Sequence, residues 1–163
     1  MASEFSFDVV SDFDHQELVN AIDQAKREIT NRYDFRGVTA EIDLEKDAIT
    51  LLTGSDMQLS AIIDVLQSKL IKRGIDVKVL DPQKPEPAAK GNVRQQLKLR
   101  KGIDQELAKD LSRKIKAAHP KLQVRIQDDQ LRVSSKDKDT LQAVIADLRA
   151  MDLDRPLQFT NYR

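Results

Sequence analysis

The 163-residue chain contains no cysteine. Disulfides, thiolate zinc sites and cysteine nucleophiles are therefore excluded. No apolar run approaches the roughly 20 residues that a membrane-spanning helix needs. The opening Met1-Ala2-Ser3-Glu4-Phe5 is not a signal peptide. A cytoplasmic protein with no membrane partner is expected. The five glycines nowhere form a Walker-type or dinucleotide-binding pattern. Formal net charge is zero, so no global field draws the chain to polyanions, and a strongly basic footprint is missing. His15 and His119 lie in different halves, and neither has a second ligand at metal spacing. Carboxylates are abundant, but no pair is singled out by a dry, apolar setting. No catalytic residue, metal or cofactor is expected.

What is present is a pattern stated twice. Phe5, Phe7 and Val9 alternate with Ser6 and Asp8, as on a half-buried strand. Leu18, Ile22, Ala25, Ile29 and Tyr33 then recur at helical spacing behind Asp14 and Glu17, a capping box. Ala40, Ile42 and Leu44, then Ile49 and Leu51, make a hairpin with one apolar face. Ser55 with Gln58 caps a helix carrying Leu59, Ile62, Ile63, Leu66 and Leu70, and Gly74 ends it. Val77 and Val79 are expected on a fourth strand. From Val93 the order returns in shorter form. A strand around Leu97 and Leu99 leads to a helix through Leu107, Leu111, Ile115 and Ala118, closed by His119-Pro120. A hairpin turning at Asp128-Asp129, a helix through Leu141, Val144, Ile145 and Leu148, and a strand with Leu157 and Phe159 complete it. Two βαββαβ modules define an α+β fold, a tandem of two ferredoxin-like domains. Each hairpin has one polar face, so both helices of a module must cover the same side of its sheet.

The neutral total hides an asymmetry. Residues 1–80 carry 9 basic and 15 acidic residues, and residues 81–163 carry 18 and 12. The densest basic stretch is Lys90, Arg94, Lys98, Arg100 and Lys101. It reads as a solvated strand or one paired with acidic neighbours, and equally as a ligand-binding strip. Asp81–Gly91 holds three of the five prolines and is expected to be an extended, polar, mobile loop.

RNA-recognition modules of this fold carry aromatics on the central strands. Here the corresponding segments, Asp47–Leu52 and Gln130–Ser135, have none. Phe35 stands in Asp34-Phe35-Arg36-Gly37, just after a helix ending in Arg32 and Tyr33. An aromatic beside two arginines at a glycine turn suits base stacking and phosphate contact. The alternative is that Phe35 plugs the helix-to-strand corner.

At these residues the chain resembles a known family. Phe5-Ser6-Phe7-Asp8-Val9-Val10-Ser11, Asn20-Ala21-Ile22-Asp23-Gln24-Ala25, Arg27-Glu28-Ile29 and Asp34-Phe35-Arg36-Gly37 resemble the opening of the bacterial YajQ family. Lys101-Gly102-Ile103-Asp104, Leu122-Gln123-Val124, Leu141-Gln142-Ala143-Val144-Ile145-Ala146 and Gln158-Phe159-Thr160-Asn161-Tyr162-Arg163 extend the likeness to nearly the whole chain. The resemblance implies exchanged first strands. The first domain would be residues 11–92 completed by strand 93–101, and the second residues 102–163 completed by strand 1–10. Moving those strands brings each domain to formal neutrality.

The resemblance also implies a nucleotide-binding protein without catalytic activity. Its ligand would be a guanine-containing nucleotide, with cyclic di-GMP leading and other purine nucleotides behind. An RNA-binding module acting on tRNA or ribosomal RNA is the alternative. A third is an adaptor for a protein regulator, docking on the uncovered sheet faces. Arg36 and the basic strand would supply phosphate contacts and Phe35 a stacking surface. The full candidate set is Arg32, Phe35, Arg36, Lys98, Arg100, Lys101, Asn161 and Arg163.

Overall fold

A computed structural model of the chain describes residues 4–163. Residues 1–3, the start of the expected strand 1–10, lie outside the described part. In chain order come β1 (Phe5–Val10), α1 (His15–Asn31), β2 (Ala40–Leu44), β3 (Ala48–Thr53) and α2 (Asp56–Lys72). Then follow β4 (Leu80–Pro82), β5 (Glu86–Pro87), β6 (Val93–Leu99) and α3 (Gln105–Ala118). β7 (Gln123–Gln127), β8 (Gln130–Ser135), α4 (Lys138–Ala150) and β9 (Gln158–Thr160) complete the chain. The fold is α+β, a tandem of ferredoxin-like domains built on two antiparallel sheets.

One sheet has the order β7-β8-β1-β9, and the other β2-β3-β6-β4 with β5 also on β6. The first strand of each repeat thus lies inside the sheet made by the rest of the other repeat. The chain divides into two compact units. A terminal unit joins the residues up to Asp12 with Lys101–Arg163, and a central unit runs from Phe13 to Arg100.

In the terminal unit, Phe7 lies opposite Val133 and Val9 opposite Leu131, all four fully buried. They meet Leu111 and Ile115 of α3 and Val144 and Leu148 of α4 in one core. In the central unit, Leu97 of β6 faces Ile49 of β3 beneath Leu18, Ile22, Leu59, Ile62 and Leu66. Gln95 shares that buried face, and its side-chain amide donates to the Gln83 carbonyl at 2.8 Å, which satisfies the group.

Local signals set the helix ends. The Asp14 side chain accepts from the Gln16 and Glu17 N–H groups, and the Ser55 hydroxyl from that of Gln58. Past the end of α2, Gly74 has φ +76° and the Ile75 N–H donates to the Leu70 carbonyl. This left-handed cap favours glycine. Lys69 of α2 pairs with Glu28 of α1 at 3.0 Å.

Two expectations change. Val77–Val79 forms a 3-10 turn, and the strand starts at Leu80. The Asp76 carboxylate accepts the Lys78 N–H and its carbonyl accepts that of Val79, which closes a turn where alternation suggested a strand. The proline-rich segment is extended, yet it is tied along β6. Glu86 lies opposite Arg94, and Pro87 opposite Val93. The Gln83 N–H donates to the Gln96 carbonyl at 2.8 Å. Proline suits this outer position, because a sheet edge needs no donor on its solvent side.

Candidate functional site

The expected site residues fall into three groups. The first is the turn after α1 in the central unit. Phe35 is only 6% exposed and belongs to that unit's core, so it plugs the helix-to-strand corner. The stacking role expected for its ring does not fit this burial. The exposed aromatic of the turn is Tyr33, at 84%. The Arg36 guanidinium lies over the Tyr33 ring at 5.6 Å, and the Arg32 guanidinium over the Phe35 ring at 5.7 Å. Arg32 also holds the Asp34 carboxylate through two contacts of 2.8 and 3.0 Å. That ion pair keeps the Asp34 carboxyl below its ordinary pKa. Gly37, at φ +71°, then turns the chain toward β2.

The second group lies on and after β6. Arg100 bonds the carbonyls of Lys78 and Leu80, both at 3.2 Å, and pairs with Asp81 at 3.1 Å. It ties the end of β6 to β4. Lys98, also opposite Asp81, is exposed, as is Arg94 opposite Glu86. The strand's positive charge therefore meets acidic neighbours across the sheet. Lys101 belongs to the terminal unit and pairs with Asp12 at 3.5 Å.

The third group is the C-terminal tail, and it builds the most complete site. The Asn161 side-chain amide donates to Asp8 at 2.9 Å. Asp8 sits on β1, 5% exposed, and receives the Arg132 guanidinium at 2.9 and 3.4 Å. Beyond Asn161, Arg163 exchanges backbone hydrogen bonds with Ser6, at 3.0 and 3.1 Å. The tail thereby closes one side of a recess of about 220 Å³ against α4. Phe5, Leu141 and Ile145 supply its apolar wall. Tyr162, 58% exposed and 6.1 Å from the Phe7 ring, supplies an aromatic face. Lys138, Gln142 and Arg163 add two cations and an amide. An aromatic face and an apolar wall beside cations suit a flat heterocycle carrying a phosphate. Tyr162, Phe5 and Lys138 were not among the expected site residues. Only the exposed helix start and the aromatic tail hinted at them, and neither shows that they meet.

Asp8 makes the tail's anchor sensitive to acid. The hydrogen-bonded Arg132 guanidinium lowers its carboxyl below the ordinary 3.8; burial opposes this, and the Asn161 amide adds to it. A carboxylate with a depressed folded pKa contributes stability above its unfolded value, and that contribution is lost as pH falls through the folded one. Asp8→Asn is therefore expected to melt below the parent at neutral pH. The gap should narrow below about pH 4, where the parent's own carboxylate begins to protonate. Thermal melts at stepped pH values test this, and a gap that widens on acidification would contradict it.

Fold and recess together define a class: a tandem ferredoxin-like protein with an aromatic, cation-flanked recess on one sheet-and-helix unit. The family model described as nucleotide-binding protein YajQ-like matches residues 5–163. A relative named as a nucleotide-binding protein from Synechococcus sp. (strain JA-2-3B'a(2-13)) is 53% identical over 163 residues, covering all of both chains. Similarly named proteins of Synechococcus elongatus and Trichodesmium erythraeum are 52% and 53% identical, again over the full length of both chains. This chain belongs to the YajQ-like family.

Proposed function

We propose that this protein binds a purine nucleotide in the terminal-unit recess and acts as an effector rather than an enzyme. The observation that carries this reading is the meeting of Tyr162, the Phe5–Leu141–Ile145 wall, Lys138 and Arg163 around one small space. The base lies against the Tyr162 ring, and the phosphate takes Lys138 and Arg163. Arginine's planar fork suits both phosphate and the O6 and N7 edge of guanine. The names of the relatives and the resemblance in sequence support a nucleotide, with cyclic di-GMP the first candidate. On the central unit, Arg32, Arg36 and Lys98 are separate candidates for phosphate contact, with Tyr33 replacing Phe35 as the stacking face of the turn, and Lys101 is a further candidate on the terminal unit.

RNA is the second reading. It is favoured by the polar open face of the terminal sheet, where exposed Arg125 lies opposite Arg132. Calorimetric titration with cyclic di-GMP, GTP, ATP and bulk tRNA at two salt concentrations separates the readings. A saturable, weakly salt-dependent response to one purine nucleotide is expected. A steep salt dependence with tRNA alone would overturn it, because counterion release scales with the phosphates contacted.

A further inference from the structure

The tail does not continue β9 in register. Val10 lies opposite Gln158, Val9 opposite Phe159 and Asp8 opposite Thr160. The next hydrogen-bonded pair is Ser6 with Arg163. One residue of β1, Phe7, therefore faces two residues of the tail, Asn161 and Tyr162. That is a β-bulge, and Asn161 carries the left-handed φ of +56° that lets it form. Asparagine tolerates this backbone where most side chains resist it. Its amide on the buried Asp8 carboxylate fixes the bulge in place.

The extra residue changes which face the tail presents. In unbroken register Tyr162 would lie opposite Ser6, on the polar open face beside Asp8 and Thr160. A one-residue shift exchanges the two faces of a strand. In the bulged tail the Tyr162 ring comes within 6.1 Å of Phe7, whose side chain is fully buried on the helix side. Tyr162 thus lines the recess with Phe5 and Leu141.

We infer that the Asn161 bulge is the device that assembles the recess, and that Asn161 is a positioning residue and not a ligand contact. This rests on the recess being the nucleotide site, and it adds what sets the affinity there: the register of the last three residues.

Replacing Asn161 by valine tests it. Asn161→Val keeps the chain length but resists the left-handed backbone that the bulge needs, so it favours unbroken register, which turns Tyr162 to the open face. Cyclic di-GMP and GTP are the probes, read by calorimetry beside the through-space magnetic contact between the Tyr162 and Phe7 rings. Asn161→Val is expected to lose that contact and at least about tenfold in affinity, the scale of one lost base stack. Tyr162→Ala in the parent should match the loss, and in the Asn161→Val background it should add nothing. Asn161→Gly loses the amide contact with Asp8 but keeps a residue that adopts the left-handed backbone, so the ring contact should persist and the affinity loss should stay well below that of Asn161→Val. Should Asn161→Val fail to fold, Asn161→Thr replaces it, because it too is β-branched and resists positive φ.

An Asn161→Val variant that loses the ring contact yet binds like the parent would overturn the inference and leave nucleotide binding standing at another place. Equal losses in Asn161→Gly and Asn161→Val would also overturn it, since register would not be the determinant. A parent that keeps the ring contact but binds neither probe would remove the nucleotide reading, and this inference with it.

Discussion

Cut between the two sequence repeats, the chain should fall into two unfolded pieces. Residues 1–90 and 91–163 each keep one full set of helices and hairpins, and periodicity alone would make each a domain. Yet residues 1–90 lack β6, the strand to which β3, β4 and β5 all bond. Residues 91–163 lack β1, which lies between β8 and β9. Each fragment loses an inner strand, and with it the buried side chains Leu97, or Phe7 and Val9. A sheet opened at its centre exposes unpaired backbone and apolar surface together, and domains of this size have little stability to spare. Circular dichroism should show little cooperative melting for either piece and recovery on mixing. By contrast, residues 13–100 cross the repeat boundary but keep a complete sheet, and we expect them to fold alone. Independent, cooperative melting of residues 1–90 and 91–163 would show that the exchange is not needed for folding.

The second large effect is where damage appears. Phe7 and Leu97 are both fully buried on inner strands. Phe7 meets Phe159 edge to face at 6.0 Å. Phe7→Ala is expected to cost about 3–5 kcal/mol, and Leu97→Ala about 2–5 kcal/mol, the usual range for large-to-small changes in a packed core. Near the N-terminus, Phe7→Ala should expose amides far along the chain, in β7, β8, α3 and α4. Leu97→Ala, in the second repeat by sequence, should expose those of β3, α1 and α2. Native-state hydrogen exchange reads both patterns. Loss of protection confined to each mutation's own sequence half would contradict the strand pairing.

Much of this was legible without coordinates, and the reasons are local. Asp14 and Ser55 cap helices because their side chains reach N–H groups two or three residues on. Gly74 ends α2 because it alone takes φ +76° at little cost. Alternation in Phe5–Val9 and Ala40–Leu44 marks strands with one buried face. The turn at Val77–Val79 was less legible, since its valines alternate like a strand and only the Asp76 carboxylate diverts them. Around Arg32–Arg36 the sequence offers two aromatics to one corner. Phe35 is inside and Tyr33 outside because the chain turns through a 3-10 segment before β2, and periodicity does not extend across that break.

The site was legible in parts only. Asn161 and Arg163 stood out as polar groups in the tail, but the amide of one is spent on Asp8, 153 residues away. Lys138 lies in no motif, Phe5 and Gln142 stand in stretches of family likeness that do not mark them as site residues, and all three matter because α4, β1 and the tail converge on them.

By itself the sequence determined the element order, the helix caps, the apolar face of each strand and the absence of thiol chemistry. All of these follow from neighbours a few residues apart. Tertiary structure decided which sheet each first strand enters, which ring of the turn is buried, and which way the last three residues face. An alternating strand pairs equally well with any matching edge, and only the closing of a particular core picks one. The tail shows this at its smallest scale: one left-handed asparagine, held by a carboxylate from the other end of the chain, turns a tyrosine from an open sheet face into a recess.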